Sequence, residues 1–259
     1  MTVSIPDRKY EEVSDDSVMA VFSDVHSNLE ALQAVLAEME LLGLERRVCL
    51  GDIVGYGADP AECLELVRSL NCPVIQGNHD QLVAGNGQLE GISETAKSGM
   101  EFARERLSIE QRAYLANLPM TLIDQGCEFV HASLDQPEGW WYVLRPEDAL
   151  LHFEAQTQPV CFCGHTHVPF VWHSDPSGKL DVAQGTGAVR LPPTGKALIN
   201  VGSVGQPRDR RAEACYAIYD LAAKRVEFRR VPYNVAKAKR KILKANLPRF
   251  AAQRLSQGK

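Results

Sequence analysis

Three stretches near the start of the chain, VMAVFSDVHSN (18–28), RVCLGD (47–52) and CPVIQGNHD (72–80), decide the fold. Each opens with a short apolar run that gives way to turn-forming polar residues, the pattern of a buried strand and too short for a helix. Between the first and second, Leu29, Leu32, Val35, Leu36 and Met39 recur at helical spacing behind a cap at Ser27 or Asn28, and Gly43 closes the segment. Between the second and third, Pro60 opens a helix over Cys63, Leu64, Leu66 and Val67. Strand, helix, strand, helix, strand at this spacing predicts a parallel sheet covered by helices.

Further along, residues 95–106 and 109–118 carry helical patterns. CEFVHA (127–132), VCFCG (160–164), KALINVG (196–202), ACYAIYDL (214–221) and RVEFRRV (225–231) read as strands, and 174–195 as a polar hairpin or loop. So many strands are expected to form two sheets in one domain covering residues 1–259, with 1–17 as a polar lead-in. Residues 235–259 hold eight Lys and Arg and no acid, while Ile242, Leu243, Leu247, Phe250, Ala251 and Leu255 recur at helical spacing. This predicts a basic C-terminal helix docked by its apolar side on an otherwise acidic body; a nucleic-acid or membrane contact is the alternative.

Composition narrows the function classes. With 45% hydrophobic residues and a net charge of −5 over 259 residues, global disorder is excluded. No run approaches the roughly 18 apolar residues of a membrane helix. An acidic N-terminal stretch offers no export signal, and seven scattered cysteines suit a reducing compartment, so the expected location is the cytoplasm.

Polar residues concentrate where strands end. Asp24 and His26 follow the first strand, Asp52 the second, and Asn78, His79 and Asp80 the third; His131 ends the fourth, and His165 and His167 the fifth. The carboxyl ends of strands in an α/β sheet collect at one edge, where ligands bind. Taken singly, a histidine there is more often a hydrogen-bonded structural residue than a ligand, and an Asp or Asn more often a turn former or cap. Five strand ends with the same chemistry point instead to metal ligation by imidazole, carboxylate and amide oxygen, suited to Mn, Fe or Zn. If the backbone is extended, Asp24-x-His26 and His165-x-His167 each aim both side chains one way. The donors outnumber one tetrahedral site, and two ions about 3.5–4 Å apart sharing a carboxylate would use them. Cys161 and Cys163, alternating with those histidines, read as core rather than as a zinc cluster.

In this order, SDVHSN, GDIVGYG, GNHD, VHAS and GHTH resemble the five motifs of the calcineurin-like metallophosphoesterases, and INVGSVGQPRD (199–209) resembles a segment of a bacterial single-domain branch. Ser27 and Val201 stand where that branch usually has Gly and often has Pro. The resemblance implies an α/β (α+β) fold, a four-layer αββα sandwich of two mixed β-sheets flanked by helices. It implies one metal held by Asp24, His26, Asp52 and His167, and a second held by Asp52, Asn78, His131 and His165. His79 would then face substrate, with Asp80 orienting it as the other catalytic residue.

The expected reaction is hydrolysis of a phosphodiester or phosphomonoester by a hydroxide shared between two divalent or trivalent ions, with His79 protonating the leaving group or bonding the phosphoryl group. Arg208 is the candidate phosphate-binding cation, its alternative being an ion pair with Asp209 or another acid. Trp140, Trp141 and Tyr142 are expected either to overhang the site or to be buried or at an interface. The partner is a small phosphate ester; nucleic acid and membrane are not expected, and self-association is left open. A nuclease or nucleotide phosphohydrolase, and a scaffold without catalysis, are the rival functions.

Overall fold

The computed structural model describes residues 17–85, 89 and 91–259, so the lead-in expected for 1–17 lies outside the described residues except for Ser17. In chain order the elements are β1 (Val18–Phe22), α1 (Leu29–Leu41), β2 (Arg47–Cys49), α2 (Pro60–Ser69), α3 (Asn78–Ala84), α4 (Glu94–Arg106), α5 (Ile109–Ala116), β3 (Thr121–Asp124) and β4 (Cys127–Val130). They continue with α6 (Pro146–Ala155), β5 (Val160–Cys163), β6 (Phe170–Ser174), β7 (Leu180–Gln184), β8 (Gly187–Arg190), β9 (Lys196–Asn200), β10 (Ala214–Asp220), β11 (Arg225–Val231), α7 (Val235–Lys244) and α8 (Arg249–Gln257).

Two mixed sheets result. The first runs β2-β1-β10-β11-β8, the second β3-β4-β5-β9-β6-β7. In the first, β1 and β2 are parallel and the remaining pairs antiparallel. In the second, β4, β5 and β9 are parallel and flanked by antiparallel partners.

Alternation along each strand builds the layers. Met19 and Val21 face Phe129, Phe162, Ile199 and Phe228 in a core between the sheets. Ala20 and Phe22 face the other way, onto Leu32, Val35 and Met39 of α1 and Leu64 and Val67 of α2. On the far side, Cys161 and Cys163 pack with Ala149 and Phe153 of α6. Helices, sheet, sheet, helix: the four-layer αββα architecture is present.

Several elements differ from expectation. Residues 72–77 pair with the first sheet only through the parallel bridge Cys49–Val74, because Pro73 lacks the N–H that a longer ladder needs. Residues 174–195 are not a hairpin to themselves. β6 and β7 form the hairpin, whereas β7 and β8 belong to different sheets, and the chain crosses between them at Gly185–Thr186. The single helix expected over 235–259 is two. Asn246 takes a left-handed φ of 58°, and Pro248 cannot continue a helix, so the chain turns and restarts as α8. Both pack by their apolar sides: Ala238, Ile242, Leu247, Ala251 and Leu255 cluster with Phe102.

Candidate metal centre

The loops that leave β1, β2, β4 and β5, together with the start of α3, meet at one end of the two sheets. Asp24, His26, Asp52, His131 and His167 are almost wholly buried there. The chain does not reach this point in extended form. Asp24, His26, Asp52, His165 and His167 all hold left-handed φ values between 48° and 65°, so the alternation assumed for the Asp-x-His and His-x-His pairs is replaced by tight turns. For non-glycine residues such conformations cost about 1–2 kcal/mol each and cluster at functional sites.

Backbone groups orient the donors. Leu50 O lies 2.7 Å from His131 Nδ1, Val54 O 3.2 Å from His26 Nδ1 and Gln206 O 2.6 Å from His167 Nδ1. A carbonyl oxygen can only accept, so each Nδ1 carries a proton, and in the neutral ring Nε2 turns a lone pair inward. The carboxylates are aimed in the same way. His79 N donates to Asp52 Oδ1 at 2.8 Å, and His165 N donates to Asp24 Oδ2 at 3.1 Å, leaving Asp52 Oδ2 and Asp24 Oδ1 to face the histidines. Gly77 is required for this approach, since a Cβ there would lie 2.2 Å from Asp52 Oδ1.

Two clusters of donors form. Asp24, His26 and His167 make one, and Asp52, His131 and His165 the other; Asp52 also groups with His26 and His79. Asp24 Oδ1 is 3.2 Å from His167 Nε2 and 3.7 Å from His26 Nε2. Asp52 Oδ2 is 3.6 Å from His26 Nε2 and 3.4 Å from His131 Nε2, so it stands between the clusters.

Among the described residues several buried donors have no hydrogen-bond partner: Asp24 Oδ1, Asn78 Oδ1, His131 Nε2 and His165 Nε2. The Nε2 atoms of His26 and His167 face each other at 3.1 Å, two lone pairs that repel unless positive charge lies near them. A metal ion resolves both problems, and the oxygen and imidazole donors match the borderline cations that sequence chemistry indicated. The residues fit the group.

Electrostatics agree. Burial alone would raise Asp24, but His167 and His26 beside it hold its carboxyl well below the usual range. Burial likewise opposes charging His131, yet the Asp52 carboxylate and the more distant Asp24 push it up to about 9. Burial lowers His165 to about 4 and His167 to about 3, which leaves both neutral and ready to ligate.

A scan against family models matches the calcineurin-like phosphoesterase superfamily domain over residues 18–224. The chain belongs to the calcineurin-like phosphoesterase superfamily. It is 39% identical over 250 residues to an uncharacterized protein of Methanocaldococcus jannaschii, covering 94% of this chain and 99% of that one. It resembles the crystal structure of a metallophosphoesterase from Sphaerobacter thermophilus, with 37% identity, a TM-score of 0.83, and 94% and 99% of the two chains covered. A hypothetical protein from Pyrococcus horikoshii shares the fold at 23% identity and a TM-score of 0.77, with 93% and 98% covered.

Around the calcineurin-like centre, the other residues named from sequence take distinct places. His79 is buried, its ring 4.7 Å from that of His26, and burial holds its pKa well below the ordinary histidine value. Among the described residues no hydrogen bond links the Asp80 carboxylate to the His79 ring. Asp80 Oδ1 accepts from Ile53 N and Val54 N, its Oδ2 from Gly77 N, and His79 Nδ1 has no hydrogen-bond partner. The carboxylate ties the Asp52 loop to the start of α3. Burial and the neighbouring Asp52 charge push it up to about 7.

Arg208 has no carboxylate partner among the described residues, and Asp209 pairs with Arg230 instead. Tyr142 stacks on His165 at 4.1 Å and, with Trp141, Leu144, Arg145 and Leu151, lines a cavity of about 510 Å³ beside the centre. Trp140 lies 5.8 Å from His131 and donates to Gln81. Sequence reasoning missed Tyr56, whose ring lies 4.8 Å from His26 and 4.7 Å from His79. Its signal was in view, an aromatic inside the GDIVGYG turn. Among the described residues no helix is long and apolar enough to cross a membrane.

Proposed function

We propose that this chain is a dinuclear metal-dependent hydrolase of phosphate esters. One ion would be held by Asp24, His26, Asp52 and His167, the other by Asp52, Asn78, His131 and His165. The observation that carries this reading is the position of Asp52 Oδ2, within 3.6 Å of donors from both clusters and surrounded by buried polar atoms without partners. When bound, divalent cations supply charge for the phosphoryl oxygens and bring the pKa of water toward neutrality.

The chain's own groups do the rest. His79, neutral because it is buried, suits donation of a hydrogen bond to the phosphoryl group better than delivery of a proton to the leaving alkoxide. Arg208, a cation with no carboxylate partner among the described residues, suits charge-assisted bonding to a non-scissile oxygen. The cavity beside Tyr142 would offer a leaving group the aromatic faces of Trp141 and Tyr142 among mixed walls that also include Asp135, Arg145 and Asp148.

The tail gives less support to a nuclease. Lys237 and Lys241 are paired with Glu30, and Lys241 also with Asp59, so part of its basic face is turned inward.

The test is hydrolysis of p-nitrophenyl phosphate and bis(p-nitrophenyl) phosphate by manganese-loaded chain, with bound metal measured by mass spectrometry. Asp52→Asn is expected to lose metal and on the order of a hundredfold or more in rate. Full turnover after chelation, or full metal content in Asp52→Asn, overturns the reading.

A further inference from the structure

The cavity of about 510 Å³ beside the metal centre is of the size that takes a drug-sized ligand, and its walls are chemically uneven. Tyr142 forms one side of it while stacking on His165, the two ring planes 18° apart, so the cavity begins one ring away from a candidate ligand. Trp141 forms another side. It is 57% exposed and Tyr142 46%, aromatic faces left open to whatever fills the space. The loop that carries them is fixed at both ends. Ser133 Oγ, close behind His131 in the chain, accepts from Asp135 N at 3.2 Å, and Leu134 N donates to Nδ1 of the buried His152 at 3.1 Å. At the far end Trp140 is tied to Gln81 of α3, and Gly139 leaves room for the next indole, since a Cβ there would lie 2.5 Å from Trp141 Nε1.

The charges in the cavity do not balance. Arg145 and Asp148 are spent on each other: Asp148 Oδ1 accepts from Arg145 Nη2 at 3.2 Å, and its Oδ2 caps α6 by accepting from Leu144 N and Arg145 N. Asp135, partly buried, is different. Its amide is bonded, but among the described residues no hydrogen bond or ion pair engages its carboxylate. Aromatic faces with one surplus carboxylate suit a flat ring that stacks and carries N–H donors on its edge, because an ionised carboxylate can only accept. Of the common nucleobases, guanine alone offers two adjacent donors, N1–H and the 2-amino group, one for each carboxylate oxygen. Adenine and cytosine set a lone pair beside their amino group, and uracil flanks its one donor with carbonyls, so each meets the carboxylate with repulsion.

We infer that this cavity is a base subsite, in which Trp141 and Tyr142 stack a guanine and Asp135 accepts from its donor edge, while the phosphate of the same nucleotide lies at the metal centre. The inference rests on the phosphoesterase reading and deepens it, from phosphate esters at large to guanosine nucleotides with the nucleoside as leaving group. Water adds to phosphorus, the phosphorus–oxygen bond to the sugar breaks, and the nucleoside departs with the proton on its hydroxyl. Asp135 is then a specificity residue, and Trp141 supplies affinity that does not distinguish one base from another.

The experiment is titration calorimetry on manganese-loaded chain with the 5′-phosphonate analogues of guanosine and adenosine monophosphate, whose phosphorus–carbon bond resists hydrolysis. A third probe, (2-trimethylammonioethyl)phosphonate, offers the acid a cation without a donor edge. The guanosine analogue is expected to bind tighter than the adenosine analogue by on the order of tenfold or more, as a charge-assisted pair of hydrogen bonds should give. Asp135→Ala should bring that ratio to within about twofold, and Asp135→Asn, which keeps one acceptor but no charge, should keep part of it. Trp141→Ala should weaken both analogues alike, by about fivefold or more. Thermal melting checks that each variant folds; if Asp135→Ala does not, a reduced ratio in Asp135→Asn carries the test. A ratio near one in the wild type, a ratio that survives loss of the Asp135 carboxylate, unchanged affinity in Trp141→Ala, or tightest binding of the trimethylammonio probe overturns the subsite. Hydrolysis of p-nitrophenyl phosphate separates the two proposals. Turnover without the guanine preference leaves the hydrolase and removes the subsite. An Asp135-dependent preference without turnover leaves a nucleotide pocket and removes the hydrolase.

Discussion

Ser27 holds a left-handed φ of 54° and is buried, and its hydroxyl finds no hydrogen-bond partner among the described residues. That conformation explains why glycine is expected at this turn. Ser27→Gly relieves both penalties and should stabilise the fold by about 1 kcal/mol, read as a rise in denaturant midpoint. Replacement with no gain would mean that the hydroxyl has a partner in solution. A second consequence concerns His131. Its raised pKa, about 9, means that a proton competes with metal for Nε2. Ligation needs the neutral ring, so manganese affinity should climb as pH rises from 6 toward 9 and fall as pH drops. Calorimetric titrations at several pH values check this, and a flat profile would contradict it. The candidate ligands could be read from sequence because imidazole and carboxylate at five strand ends have few other uses. The turns that present them could not, since nothing in an Asp or His side chain announces a left-handed backbone. Nor was Asp80 separable from its neighbours, because its role depends on which backbone amides fold around it.

At the level of elements, α7 is fixed by charge. Glu30 of α1 is only 4% exposed, and Lys241 sits 2.7 Å from it and 2.9 Å from Asp59. Burial works against the Glu30 carboxylate, but Lys241 and Lys237 hold its pKa below the ordinary value. A depressed carboxyl pKa contributes stability above the usual glutamate range and loses it as pH falls through the lowered value. Lys241→Met should therefore cost ~2 kcal/mol near pH 7, with the difference from wild type shrinking toward pH 4. Equal melting temperatures at pH 7 would dismiss the ion pair as idle. Central strands and the first two helices follow from apolar periodicity, which the core enforces. β3 was not foreseen as a strand because its faces are half or wholly exposed, so no burial pattern marks it, and β7, equally exposed, fell inside the stretch read as a polar hairpin or loop. The break before α8 was legible in principle at Pro248, but the helical spacing on either side of it concealed the turn.

Across the whole molecule, the candidate centre draws Asp24 and Asp52 from the first sheet and His131, His165 and His167 from the second. Cations held there would join the sheets at one end and favour the native state by mass action. Manganese at about 100 times its dissociation constant should add about 2.7 kcal/mol of stability, seen as a higher melting temperature that a chelator reverses. The rise should vanish in Asp52→Asn; persistence would point to binding elsewhere. The two sheets are also sewn together covalently. Only Gly185 and Thr186 separate the last residue of β7 from the first of β8, and the three Cα steps from Gln184 to Gly187 span no more than about 11 Å. The outer margins of the sandwich thus share a short, inextensible hem, and amide protons on both sides of it should exchange in step, as a unit that opens and recloses together.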